Sequence, residues 1–380
     1  MKLVNIGLLG CALFFMAQCS HQPEKFSELL KRLDSLPGKQ KQEKLRIFTA
    51  QHNFPFVEDS VVYFLTEDTT GQPVHLAGDI TGWRPDSIAL KQIAGTNFWY
   101  TSLILPAQAR IEYKFVCGQD WRLDPFNPLK DGGGFGENSV LVMPDYRFPQ
   151  EVLFKPEFQK STLDTFKFKS KILNNRRYIY FYKHERAGNN SPLIIFQDGG
   201  DYLTYGRARI ILDNLIGMGR LEPLMAVFVE PRNRKREYRF NDLYLKMLFK
   251  ELLPWLKQKF KLRNNRLALG GASLGGLISL YALKKYGSYL DFVFSQSGAL
   301  WIDNERIIKE VQAFRPIKTF LFLSYGLFEN MDESHQKLER LLENKGINFE
   351  MKIYYEGHNW GNWRAHLKEA LLPFAGGKVQ

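Results

Sequence analysis

Cysteine is scarce in this chain. The three present, Cys11, Cys19 and Cys117, are too few and too irregularly spaced for a disulfide framework or a cysteine-based metal site. Long apolar runs are lacking after the first twenty residues, so nothing there is expected to span a membrane. The net charge is +12, yet the lysines and arginines are scattered among acids, and no zinc-finger, RNP or basic-zipper pattern accompanies them. Nucleic acid is therefore not an expected partner. One local cluster, Arg232, Arg234, Lys235, Arg236 and Arg239, reads as solvated surface, with an anionic substrate as the second reading. What is present is ordinary for a globular protein: 44% hydrophobic and 24% charged residues over 380 positions, enough for two domains.

The N-terminus has the pattern of a targeting segment. Met1 and Lys2 precede a stretch from Leu3 to Ala17 that is nearly all apolar or small, too short for a membrane span. It ends in Met16-Ala17-Gln18-Cys19-Ser20, which resembles a bacterial lipobox, with Gln18 where a small residue is usual. The expectation is a signal over 1–19, lipidation at Cys19, and an exported protein tethered at the periplasmic or cell surface. An ordinary secretory signal is the alternative. Residues 20–59 are expected to be a helical spacer, with one short helix at Phe26 to Leu33.

From 60 to 146 short β-rich runs alternate with turn residues, as in Val61–Leu65, Val74–Ala77, Phe98–Thr101 and Ile111–Val116. Regular short strands predict a β-sandwich. Cys117 at the end of the last run is expected to be a small apolar strand residue. The stretch Gly132-Gly-Gly-Phe-Gly136 imitates a dinucleotide loop, but it has no strand before it and no helix after it.

From 150 to 380 the pattern becomes alternating apolar strands and helices, which predicts a mostly parallel sheet covered on both faces. Its central motif is Gly271-Ala272-Ser273-Leu274-Gly275-Gly276, between the strand Arg266–Leu269 and a helical run from Leu277. This is the context of a nucleophile elbow, in which small neighbours admit a strained turn and the helix N-terminus faces developing negative charge. A serine needs a base. His358 is the candidate, because it lies in a glycine-bearing loop after a strand and C-terminal to the serine. His335 and His366 read instead as surface residues on helices. Glu329 would orient the histidine, with Asp332 and Glu333 as rivals. Oxyanion donors are expected from Leu274 and from the loop Gln197–Tyr202, at Gly200 and Asp201.

Two resemblances follow from ordered motifs. Val74-His-Leu-Ala-Gly-Asp-Ile-Thr-Gly-Trp83, Ile111-Glu-Tyr-Lys-Phe115, Trp121, Asp124-Pro-Phe-Asn-Pro128 and Asn138 together resemble glycogen-binding-like modules of the early-set, immunoglobulin-like superfamily. That resemblance implies stacking of sugar on Trp83 and Trp121, with Lys114 and Asn138 bonding hydroxyls. Downstream, Phe196-Gln-Asp-Gly-Gly200, Arg234-Lys-Arg-Glu-Tyr238, Glu251-Leu-Leu-Pro-Trp255, Ser295-Gln-Ser-Gly-Ala-Leu-Trp301, Gly326-Leu-Phe-Glu329 and Gly357-His-Asn-Trp-Gly-Asn-Trp-Arg364 flank the elbow. They resemble the enterochelin-esterase, or esterase-D-like, family, which includes feruloyl and siderophore esterases. The implied architecture is an α/β-hydrolase fold with an N-terminal immunoglobulin-like β-sandwich domain. The implied chemistry is ester hydrolysis through an acyl-enzyme on Ser273, with no metal and no organic cofactor.

The expected substrate is a small-molecule or oligosaccharide ester, feruloyl or acetyl on carbohydrate, with a siderophore ester as the alternative. Trp360, Trp363, Arg234 and Tyr202 are candidate substrate contacts. A reading of another class is a glycan-binding lipoprotein whose hydrolase domain is inactive.

Overall fold

A computed structural model of the chain describes residues 24–134, 136–263, 265–314 and 318–376; the leader and Cys19 lie outside them. From residue 161 the chain forms one eight-stranded mixed sheet, as an α/β-hydrolase fold. In spatial order its strands are Ser161–Ser170, Asn175–His184, Met225–Val229, Leu193–Phe196, Leu267–Ala272, Phe292–Gln296, Phe320–Gly326 and Phe349–Tyr354. The first two form an antiparallel hairpin, and Asn175–His184 also runs antiparallel to Met225–Val229. All later pairings are parallel. The central strands read as continuous apolar runs because both faces are covered. One face buries Leu248, Leu277, Leu280 and Leu338, and the other Tyr202, Leu212, Leu367 and Leu371. The edge strand Ser161–Ser170 carries polar residues at its outward positions.

The chain leaves Leu193–Phe196 towards Met225–Val229 on one side and returns to Leu267–Ala272 on the other. The crevice beyond these strand ends is a topological switch point, where ligands of open α/β sheets bind. Ser273 follows the second of these strands directly.

The N-terminal module consists of two antiparallel sheets, ordered Phe56–Glu58, Val61–Glu67, Phe98–Ile104, Lys91–Gln92 in one and Ile88–Ala89, Val74–Gly78, Arg110–Cys117, Gly136–Val142, Lys130–Gly133 in the other, where Asp120–Arg122 also pairs with Arg110–Cys117. Their facing side chains, among them Val62, Phe64, Leu76, Ile111, Phe115 and Cys117, share one core. The segment expected to be a spacer behaves otherwise. Two helices, Phe26–Leu33 and Gly38–Gln51, dock on this module through Phe26, Leu29, Leu33, Leu45 and Phe48. These positions recur at helical spacing, and their burial against Leu65 and Phe98 makes the helices part of a core. The glycine-rich stretch joins Lys130–Gly133 to Gly136–Val142 as a hairpin and has no dinucleotide-loop geometry.

Candidate active site

Ser273 occupies a sharp strand-to-helix turn between Leu267–Ala272 and Leu274–Tyr286. Its φ of 56° with ψ of −120° is a strained conformation for a side-chain-bearing residue, costing about 1–3 kcal/mol. Neighbouring hydrogen bonds hold it there: its N–H donates to the Gln296 carbonyl at 2.9 Å, and its own carbonyl accepts from Ala299 and Leu277 at 3.0 Å each. The turn also needs close approach of the next helix. A Cβ on Gly275 would lie 3.0 Å from Gln197 Cβ, so only glycine fits without displacement.

His358 Nε2 stands 3.0 Å from Ser273 Oγ, and Nδ1 stands 3.0 Å from Glu329 Oε2. With the proton on Nδ1, the imidazole donates to the glutamate and accepts from the serine. The Glu329 side chain is fully enclosed. Its other oxygen accepts from Ser297 Oγ at 2.6 Å, the Gly326 N–H at 2.8 Å and Asn362 Nδ2 at 3.2 Å. Trp363 Nε1 in turn donates to Ser297 Oγ at 2.9 Å, and the Trp363 ring meets His358 edge-on at 5.0 Å. Of the three acids considered, Glu329 alone reaches the histidine. Glu333 is exposed and pairs with Lys337, and Asp332 interacts with Tyr325.

The Leu274 N–H has no acceptor among the described residues and opens the helix beside Ser273. On the facing loop the geometry separates the two candidate donors. The Gly200 N–H is engaged by Glu230 Oε2 at 2.8 Å, whereas the Asp201 N–H has no acceptor among the described residues. Gly200 is thus not available as an oxyanion donor in this arrangement. Burial, then the neighbouring Asp198 and Glu230, push the Asp201 carboxyl up to about 6.

Other expected residues fall differently. Tyr202 is entirely buried; its hydroxyl donates to Gln296 Oε1 at 2.9 Å and its ring supports Trp360, so it is a brace rather than a substrate contact. Arg234 begins a short helix and grips Asp198 through two hydrogen bonds of 2.8 and 2.9 Å, which corrects its reading as solvated surface. Among the histidines expected at the surface, His335 is buried and packed at a tilt against Tyr325, and His366 is bonded to Glu356 and stacked on Tyr354.

Ser273 and His358 open into a cleft of about 680 Å³. Trp360, Trp363, Arg234 and Asp201 form part of its hydrolase wall. The opposite wall comes from the N-terminal module and includes Trp83, Lys114, Trp121 and Asn138. Trp83 and Trp121 stack with ring centres 6.3 Å apart. Asn138 donates to Glu112 at 2.8 Å, Glu112 also pairs with Arg110, and Lys114 enters no ion pair among the described residues. The four residues singled out for sugar therefore face the same cleft as the serine. Sequence reasoning missed Asp79, Arg110 and Asn359, which join the two walls. The glycines on either side of His358 were the available signal.

The comparisons with known proteins support an esterase of this fold. Residues 170–321 match the esterase family model described as "Putative esterase". The iron(III) enterobactin esterase of Escherichia coli (strain K12) is 26% identical over 251 residues, which cover 56% of this chain and 61% of that protein. The uncharacterized protein YbbA of Bacillus subtilis (strain 168) is 25% identical over 198 residues, 47% of this chain and 78% of that one. In fold, the enterobactin esterase FES of Shigella flexneri superimposes with a TM-score of 0.71 at 22% identity, covering 84% of this chain and 94% of that chain. The ferric enterobactin esterase of Salmonella typhimurium gives 0.72 at 21%, covering 83% and 94%. The shared fold thus reaches well into the N-terminal half. Residues 170–321 thus match an esterase family, the chain shares the fold of the enterobactin esterases, and together these support a carboxylic ester hydrolase.

Proposed function

We propose that the chain cleaves esters bearing planar aromatic groups, of the catecholate-siderophore kind, through an acyl-enzyme on Ser273. The observation that carries this reading is the aromatic wall of Trp83 and Trp121 in one cleft with Ser273 and His358. Aromatic faces suit planar rings, and Lys114, which has no ion pair among the described residues, suits a phenolate or another anionic group. The E. coli relative, named for iron(III) enterobactin, supports the same class.

In the proposed mechanism His358 Nε2 takes the Ser273 Oγ proton as the oxygen attacks the ester carbonyl. The carbonyl π electrons move to oxygen, and the N–H groups of Leu274 and Asp201 receive the resulting negative charge. Collapse breaks the carbonyl–alkoxy bond, and His358 gives its proton to the departing alcohol. Water, deprotonated by His358, then attacks the acyl-enzyme and releases the acid and the free serine. Glu329 keeps the imidazole in the required tautomer and balances its transient charge.

A second reading is an ester on carbohydrate, feruloyl or acetyl. Trp83, Lys114, Trp121 and Asn138 favour it, since their motif resembles the sugar-binding residues of glycan-binding modules in the immunoglobulin-like early-set superfamily. Under either reading we place residues 60–146 as that β-sandwich, 150–380 as the catalytic domain, and the chain as an exported protein anchored through Cys19. The test is turnover of p-nitrophenyl acetate and butyrate, methyl ferulate and an iron–enterobactin ester by the wild type and Ser273→Ala. A kcat/KM highest for the catecholate ester and lost in the variant supports the proposal. Preference for methyl ferulate moves the substrate to the carbohydrate class. Absence of both turnover and fluorophosphonate labelling overturns the catalytic assignment and favours a glycan-binding protein with an inactive hydrolase domain.

A further inference from the structure

The segment that carries His358 is gripped from outside its own sheet. After the strand Phe349–Tyr354 the chain runs against the N-terminal module. The Arg110 N–H donates to the Tyr355 carbonyl at 3.0 Å. The Arg110 guanidinium, buried with the rest of that side chain, donates to Asn359 Oδ1 at 3.3 Å and stands 3.6 Å from Glu356 Oε2. Asn359 Nδ2 donates to Asp79 Oδ2 at 2.8 Å. The Asn359 amide, next in sequence to the histidine, is thus held at both ends by the module.

Packing repeats the message. A Cβ on Gly357 would lie 2.0 Å from Asp79 Cγ, and one on Gly361 would lie 2.2 Å from Arg110 Nη1. The backbone on both sides of His358 is therefore moulded onto two module side chains. The same Asp79 accepts from the Trp83 indole at 3.2 Å, which ties this node to the aromatic wall. Asn362 bonds the Gly357 carbonyl at 2.9 Å from within the hydrolase domain, and Glu329 meets the imidazole.

We infer that Asp79 and Arg110 are positioning residues that act through Asn359 to place His358, so the module completes the catalytic geometry as well as the substrate wall. This rests on His358 serving as the base for Ser273. A base moved by about 1 Å loses on the order of 100-fold in rate. The effect is expected even for an ester too small to reach Trp83 or Trp121.

The experiment uses the full chain and p-nitrophenyl acetate, with fluorophosphonate labelling of Ser273 in parallel. Removing Arg110 would take a partner from three carboxylates at once, Glu112, Asp131 and Glu356, so the variants are Asp79→Ala, Asn359→Ala, their combination, Asp79→Asn and His358→Ala. The expected result is a fall in kcat of about 10- to 100-fold for each alanine variant, with KM within about two-fold and labelling slowed in parallel. Asp79→Asn keeps an acceptor for Asn359 and should recover to within about five-fold of wild type. The combined loss should be smaller than the product of the two single losses, since both changes remove the contact between Asp79 and Asn359. Should Asp79→Ala not fold, Asn359→Ala decides alone. An inactive His358→Ala beside an Asn359→Ala of wild-type kcat overturns the positioning role, as do losses that multiply in the combination. An active His358→Ala overturns the base assignment and the positioning role with it.

Discussion

On the hydrolase side of the cleft, polar atoms around the nucleophile are closely partnered. Glu329 accepts from four donors, Ser297 is bonded on both sides, and Trp363 braces the imidazole. On the module side, Trp121 is 42% exposed and Lys114 has no ion-pair partner among the described residues. The first wall is fixed before anything binds, as transition-state stabilisation demands. The second leaves apolar faces and a cation to be satisfied by what enters. Under the proposed function, the module wall contributes most to substrate choice and the hydrolase wall most to the reaction, so substitutions on the two walls should fail in different ways.

The sharpest break in that comparison is Ser273→Ala, which should lower kcat by about 10⁴-fold or more on every ester, measured by steady-state hydrolysis. Glu329→Gln comes next. The amide cannot accept from the imidazole and from its three other donors together, so kcat should fall about 10³-fold, while Asp332→Asn stays within two-fold on the same assay. On the other wall, Trp121→Ala should cut the ratio of kcat/KM for a catecholate ester to that for p-nitrophenyl acetate by about ten-fold, in keeping with the loss of one stacking face. An equal loss on both esters would show the walls to be less separate than the geometry has them.

The smallest effect concerns stability. Burial, then the Glu112 carboxylate, pushes Asp79 up to about 8, against the donated hydrogen bonds and Arg110. Its folded pKa lies above the unfolded value near 4, so between these limits the folded state holds a proton that the unfolded state has lost. Stability should therefore fall as pH rises from about 4 to about 8, with a slope of up to about 1.4 kcal/mol per unit from this group. Urea titrations of the wild type and Asp79→Asn should show a flatter profile for the variant across that window.

The sequence was most legible where local pattern and chemistry coincide. The elbow announces itself because strand, small residues, serine and helix are contiguous, and His358 follows from a glycine-bearing loop after a strand. The Glu329 question needed coordinates, since three acids within five positions are equivalent on paper. Gly200 and Tyr202 were misread because their partners, Glu230 and Gln296, are 30 and 94 residues away. The interface node was invisible for the same reason: Asp79 and Asn359 are 280 positions apart. The helices before residue 52 showed their spacing in the sequence, but not the surface that receives them.

The glycines beside His358 bear on how such a chain can change over time. Two-domain proteins are often treated as cassettes, with binding units exchanged upstream of an unchanged enzyme. Here an exchanged unit would need a side chain shaped like Asp79 and another shaped like Arg110 at the same places, or the hydrolase would face a gap beside its histidine. Recombination that kept only a generic two-sheet module would yield a folded chimera with a slack active site. A swap that brought an aspartate and an arginine to those same places, facing the two glycines, is the one that should yield a working enzyme.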